Sequence, residues 1–295
     1  MSSCSINPYA KTNRVQKKKL EDYKQVLQET PKEELQDTAL NYGKYWVGTT
    51  NFNLRKPNYV IIHHTDQDSL AQTLKTFTLP RTQVSAHYVI GKNGEIYHML
   101  NNYYRAWHGG TGFWGGNRDL NSSSIGIELD NNGHEPFSDS LIKSLLKLLK
   151  QLKKEYHIPQ SNFIGHADIA PTRKVDPNKY FPWKELAQHG YGYWYDEKRV
   201  DSLVFENDYF KSNTALKNFQ NPLASHNKAI DKIVYPNVIP NNFDYIMALR
   251  VIGYDVSNLK AAIHSFKLHF IQNNVNETLS PRDIKVLYEV YKQYL

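Results

Sequence analysis

Residues 162–177, NFIGHADIAPTRKVDP, restrict the fold more than any other stretch of this 295-residue chain. Asn162-Phe163-Ile164-Gly165 reads as a short buried strand: apolar, brief, and with a glycine that lets another backbone come close. His166 stands where that strand ends. Ile169 to Pro177 contains two prolines and no apolar period, so it is expected to be an ordered loop rather than a helix. Such a loop, starting and ending near one point, brings His166 together with Asp176. Imidazole nitrogen and carboxylate oxygen are both ligands that zinc accepts, and a catalytic zinc takes three protein ligands and keeps one position open. This stretch supplies two ligands, so a third is expected from elsewhere, at the carboxyl end of a core strand.

The other strand signals are also strong. Asn58 to Thr65 is a β-branched apolar run, buried on both faces, that closes on His63 and His64. Either histidine fits as the third ligand. Side chains alternate along a strand, so only one of the two faces the site, and residue type alone does not choose between them. Asp68 to Phe77 reads as a short helix. Ser85–Ile90 and Glu95–Leu100 flank Asn93-Gly94, a strong hairpin turn. In Ser124–Leu129 the isoleucines and leucine face one way, and Ser124, Gly126 and Glu128 the other. Ser138 caps an amphipathic helix through Tyr156, with Leu141, Leu145, Leu148, Leu149 and Leu152 on one face and lysines opposite. The expected fold class is α/β, a mixed central β-sheet flanked by helices.

The remaining segments suggest a domain plan. Residues 1–43 read as a polar N-terminal tether with a helix near Lys17–Val26; 44–205 as the catalytic domain; 206–235 as an asparagine-rich connector; and 236–295 as a small all-α domain of three helices. Size permits more than one domain. The net charge of +7 suits an acidic polymer partner. The one basic run, Lys17-Lys18-Lys19, reads as a solvated face, which argues against nucleic acid. The single cysteine, Cys4, excludes an internal disulfide and a cysteine-rich metal site. It ends a small-small-Cys triplet of the kind at which bacterial lipoproteins are processed. The expectation is therefore a chain anchored to a membrane through lipid on Cys4. No stretch reaches the ~18 apolar residues of a membrane span.

Three segments together carry a family resemblance: Val60–Thr65; Ser124–Asn131; and Gly165-His166-Ala167-Asp168-Ile169-Ala170-Pro171-Thr172-Arg173-Lys174-Val175-Asp176-Pro177. They resemble the zinc-dependent N-acetylmuramoyl-L-alanine amidases of the amidase-2 type, which share a fold with the peptidoglycan recognition proteins. The similarity runs from about Tyr45 to Val200. With Phe181-Pro182-Trp183 and the Gly190–Val200 tail, it points to the outer-membrane lipoprotein branch of that family. The resemblance implies one zinc per catalytic domain, held by His63, His166 and Asp176, with Glu128 and Lys174 as catalytic residues. It also implies hydrolysis of the bond between N-acetylmuramic acid and L-alanine in peptidoglycan or its fragments, by a monomer in the periplasm of a Gram-negative bacterium.

Those residue types suit that chemistry. Zinc held by two neutral imidazoles and one carboxylate keeps its Lewis acidity. A carboxylate beside it can move a proton from water to a leaving amine, and a lysine can face the developing oxyanion. His64, His87, Trp107 and His108 are the candidate substrate contacts, although His87 and His108 read equally well as hydrogen-bonded structural histidines; Trp107, Phe113 and Trp114 read either as a wall that packs on sugar faces or as core. The C-terminal helices resemble a three-helix peptidoglycan-binding domain. The competing expectation is a non-catalytic peptidoglycan receptor on the same fold. Receptors of that kind lose zinc ligands, whereas all the implied ligands are present here.

Overall fold

The structure, a computed structural model, describes residues 7–28, 56–208 and 237–295. Cys4, the whole of the tether beyond Gln28 and nearly all of the 206–235 connector lie outside the described residues.

The first described element is a helix, α1 (Ala10–Gln28), longer than the Lys17–Val26 expectation; a second, α2 (Leu70–Thr78), stands where Asp68–Phe77 is expected. The centre is a five-stranded sheet in the order β3-β2-β4-β1-β5, with β1 (Tyr59–His64), β2 (Tyr88–Ile90), β3 (Ile96–His98), β4 (Ser124–Leu129) and β5 (Phe163–Gly165). β1 runs parallel to both β4 and β5, and β2 runs parallel to β4. Only the hairpin strand β3 is antiparallel. The parallel core explains why β1 reads as a continuous apolar run, since both of its faces are covered.

One face of the sheet packs on α3 (Asp139–Tyr156). Val60 and Ile62 of β1 and Ile125, Ile127 and Leu129 of β4 meet Leu141, Leu145, Leu148, Leu149 and Leu152 of that helix. Burying each leucine stabilises the fold by about 1.5–3 kcal/mol relative to exposure. Ser138 caps α3 as its sequence position suggests, its Oγ accepting from the Leu141 N–H at 3.3 Å.

The opposite face carries Ile61 and Ile164. It packs on the C-terminal helices α5 (Tyr245–Ile252), α6 (Leu259–Phe270) and α7 (Pro281–Tyr291). A single apolar cluster joins Ile61, Trp114, Leu120, Ile164 and Ile169 to Leu249, Tyr254, Phe266 and Leu287. The three C-terminal helices thus share a core with the sheet. Among the described residues no helix is long and apolar enough to cross a membrane.

Candidate metal centre

Three parallel strands end side by side, and their carboxyl ends build the site, as open α/β sheets commonly do. β1 and β4 pair with His63 opposite Glu128, and β1 and β5 with Ile62 opposite Gly165. Parallel partners share a face, so His63 and Glu128 point to the same side as Ile61, away from α3. His64 points to the α3 side, as Val60 and Ile62 do. The pairing with β4 thereby decides between the two histidines, a choice that β1 alone leaves open.

β5 delivers His166 directly into α4 (His166–Ile169), a single helical turn. The following loop returns to the same point, where the Ala167 N–H bonds to the Asp176 carbonyl at 2.7 Å. His63 Nδ1 lies 2.9 Å from His166 Nδ1 and 3.1 Å from Asp176 Oδ2, and His166 Nδ1 lies 3.0 Å from the same oxygen. His63, His166 and Asp176 are 1%, 3% and 7% exposed.

These residues fit a metal. Tetrahedral zinc with ligands at about 2.0–2.1 Å sets those ligands about 3.3 Å apart, close to the triangle seen. Three inward lone pairs cannot satisfy one another, whereas a cation satisfies all three. His166 Nε2 lies 3.3 Å from the Gly109 carbonyl, so that nitrogen carries the proton and Nδ1 keeps its lone pair. Burial, reinforced by His166, pushes the His63 imidazole down to about 4, leaving it neutral at pH 7. Burial alone would raise Asp176, but the His166 and His63 imidazoles beside it outweigh that and hold its carboxyl far below the usual range.

Glu128 Oε1 is 4.0 Å from His63 Nδ1 and its residue is 9% exposed. Burial, with Asp176 nearby, pushes its carboxyl well above the ordinary value, while Lys174 pulls it back. Lys174 also contributes, as the smallest influence, to lowering the His63 imidazole.

The four expected substrate contacts divide sharply. Trp107 is 48% exposed and lines an open cavity with Tyr104 and Arg105. The other three are buried. His87 is fully enclosed: its Nδ1 accepts from the Gly126 N–H at 3.0 Å and its Nε2 lies 2.9 Å from the Tyr104 carbonyl. His64 Nδ1 accepts from the Asn178 N–H at 3.1 Å, away from the metal triangle. His108 is 8% exposed and turns inward, its Nδ1 3.0 Å from His63 Nε2. Trp114 is core rather than cleft wall, 4% exposed with its ring 4.9 Å from that of Tyr254.

Sequence reasoning missed what surrounds His108. A Cβ on Gly126 would come within 2.4 Å of its ring, so the ring lies flat against β4 where that strand has no side chain. Glycine inside a strand is a signal of such close approach.

A family model described as N-acetylmuramoyl-L-alanine amidase matches residues 53–179. The chain is 40% identical to N-acetylmuramoyl-L-alanine amidase AmiD of Escherichia coli over 161 residues, 48% of this chain and 56% of that protein. It is 30% identical to N-acetylmuramoyl-L-alanine amidase A of Achromobacter lyticus, over 42% of this chain and 77% of that protein. The solved complex of E. coli AmiD with anhydro-N-acetylmuramic acid-L-Ala-D-gamma-Glu-L-Lys superposes with a TM-score of 0.62 at 29% identity. It covers 85% of this chain and 94% of that one. That likeness extends past residues 53–179. By sequence, the chain spans just over half the length of AmiD.

Proposed function

We propose that this chain, which belongs to the N-acetylmuramoyl-L-alanine amidase family, hydrolyses the amide between N-acetylmuramic acid and the L-alanine of the stem peptide, with zinc at His63, His166 and Asp176. One observation carries this reading: the buried two-imidazole, one-carboxylate triangle has a second carboxylate, Glu128, 4.0 Å from His63. Peptidoglycan and its soluble fragments are the substrate class. Relatives named 1,6-anhydro-N-acetylmuramyl-L-alanine amidase, and the anhydro-muropeptide in the AmiD complex, support it.

Zinc bound there supplies Lewis acidity toward a water and toward the carbonyl oxygen. The chain's own groups do the rest. The Glu128 carboxylate takes a proton from water as its oxygen adds to the lactyl carbonyl carbon, then gives a proton to the alanine nitrogen as the C–N bond breaks. A carboxylate raised by burial is suited to hold that proton between the two steps. The Lys174 ammonium faces the developing oxyanion. The products are a lactyl carboxylate and a stem peptide with a free amine.

Incubating zinc-loaded protein with a soluble muropeptide tests the assignment. Mass spectrometry should find the free stem peptide. A muropeptide retained on the protein and recovered intact would make the chain a receptor on this fold.

We also assign the molecule to the cell envelope of a Gram-negative bacterium as a monomer, tethered through lipid on Cys4. Labelled fatty acid absent from Cys4 of the full-length product would remove the tether. The C-terminal helices are proposed to touch the wall through the outward side chains of Tyr245, Met247 and Val251, which are 37%, 46% and 37% exposed.

A further inference from the structure

We propose that His108, backed by Ser124, is a positioning residue that holds His63 in the one tautomer able to bind metal through Nδ1. A neutral imidazole has one N–H and one lone pair, and which nitrogen carries the proton depends on what each one faces. His63 directs Nδ1 into the metal triangle and Nε2 toward His108 Nδ1, 3.0 Å away. Beyond it, His108 Nε2 lies 3.2 Å from Ser124 Oγ, and Ser124 Oγ lies 2.5 Å from the Leu120 carbonyl.

The far end of this chain of hydrogen bonds sets its direction. A carbonyl oxygen only accepts, so the single hydroxyl proton of Ser124 goes to Leu120. Ser124 Oγ then accepts, and the proton it accepts is on His108 Nε2. His108 Nδ1 is therefore bare and accepts from His63 Nε2–H. That leaves the His63 lone pair on Nδ1, where the metal triangle needs it. Metal-binding histidines usually hand their second N–H to a carboxylate or a backbone carbonyl. Here an imidazole–hydroxyl–carbonyl series serves the same end.

The site is built to keep His108 in this place. Ser124, Gly126 and Glu128 alternate along one face of β4. Ser124 receives the ring proton, Gly126 leaves room for the ring, and Glu128 stands at the site itself. The backbone N–H groups of His108 and Gly109 both donate to Asn121 Oδ1, at 3.1 and 2.7 Å. The Gly109 carbonyl in turn takes the Nε2–H of His166. One dipeptide, pinned by Asn121, thus orients both metal-site histidines: one through a side chain, the other through a carbonyl.

This inference rests on the zinc reading only in needing a metal at Nδ1, so its test reads metal binding apart from turnover. The variants are His108→Phe, which keeps a ring without hydrogen bonds; His108→Gln, whose amide can accept from His63 and donate to Ser124; and Ser124→Ala. Zinc affinity is measured by chelator competition, and the cobalt-substituted protein by its visible absorption. His108→Phe should weaken zinc binding by about 10–100-fold and alter the cobalt spectrum. His108→Gln should restore both to within a few-fold, and Ser124→Ala should fall between.

Wild-type affinity and spectrum in His108→Phe would overturn the proposal. So would His108→Gln binding as poorly as His108→Phe. If His108→Phe fails to fold, Ser124→Ala decides: weakened zinc binding supports the proposal and unchanged binding overturns it. The expected affinities in a protein that cleaves no muropeptide would refute the amidase reading and leave this inference standing.

Discussion

The Tyr254 hydroxyl, from the C-terminal helical region, donates a 2.7 Å hydrogen bond to the carboxylate of Asp168, two residues past the metal-site His166. Asp168 is 1% exposed and also bonds to His269 Nδ1 at 2.8 Å and the Gly165 N–H at 2.7 Å. Ser265 Oγ donates to the Ala167 carbonyl at 2.8 Å. The C-terminal helices therefore brace the turn that presents His166 to the candidate metal centre. Burial and the Asp168 charge together push the Tyr254 phenol well above its usual range, so it stays protonated as the donor.

Tyr254→Phe should cost about 1–3 kcal/mol of stability, the penalty for leaving a buried carboxylate oxygen short of a partner. Urea unfolding of the metal-free protein measures it. A loss below about 0.5 kcal/mol, the range of an indifferent surface change, would mean the contact braces nothing. The shared core also bears on truncation. Removing residues 237–295 uncovers Ile61, Ile164 and Ile169, so weakened wall binding in such a truncate does not isolate a binding surface. Polar replacements at exposed Met247 and Val251 do isolate it.

Asp176→Ala should abolish stoichiometric zinc while leaving the circular dichroism of the sheet and helices intact. Elemental analysis reads the metal. One zinc per chain retained in the variant would remove Asp176 from the site.

Glu128→Gln should keep zinc and lower kcat by about 10²–10⁴-fold, the usual contribution of a positioned acid–base group. Turnover at the wild-type rate would assign the proton transfers elsewhere.

Gly126→Ala adds a methyl group within 2.6 Å of three His108 ring atoms. Overpacking of this kind costs about 1–3 kcal/mol, and the displaced ring should carry zinc affinity down with it. An unchanged melting temperature would show that the ring has somewhere else to go.

What was readable beforehand was what is locally encoded. The leucine spacing and Ser138 cap of α3 lie within one helix, and β1 and β4 announce themselves by their apolar runs. The three helices of residues 236–295 were also readable from that stretch alone. What was hidden depends on partners distant in the chain. His63 and His64 are equivalent until β4 pairs alongside and puts Glu128 beside one of them. For His87 and His108 the sequence leaves cleft and structural roles equally open, because nothing adjacent in sequence reveals the backbone groups and the His63 ring that claim their nitrogens. For Trp114 the sequence leaves sugar wall and core equally open, and core is decided by Gly253 and Tyr254, more than a hundred residues away. The one-turn helix α4 is too short to show any period.

The most direct test of the central claim is hydrolysis of a purified muropeptide in ¹⁸O-water, by chelator-stripped protein and by the same protein reloaded with zinc. The predicted result is a stem peptide with a free, unlabelled L-alanine amino terminus and one ¹⁸O atom in the lactyl carboxylate of the muramic acid product, in the zinc-loaded sample alone. Label in the stem peptide, equal cleavage without metal, or an intact muropeptide bound to zinc-loaded protein would contradict it.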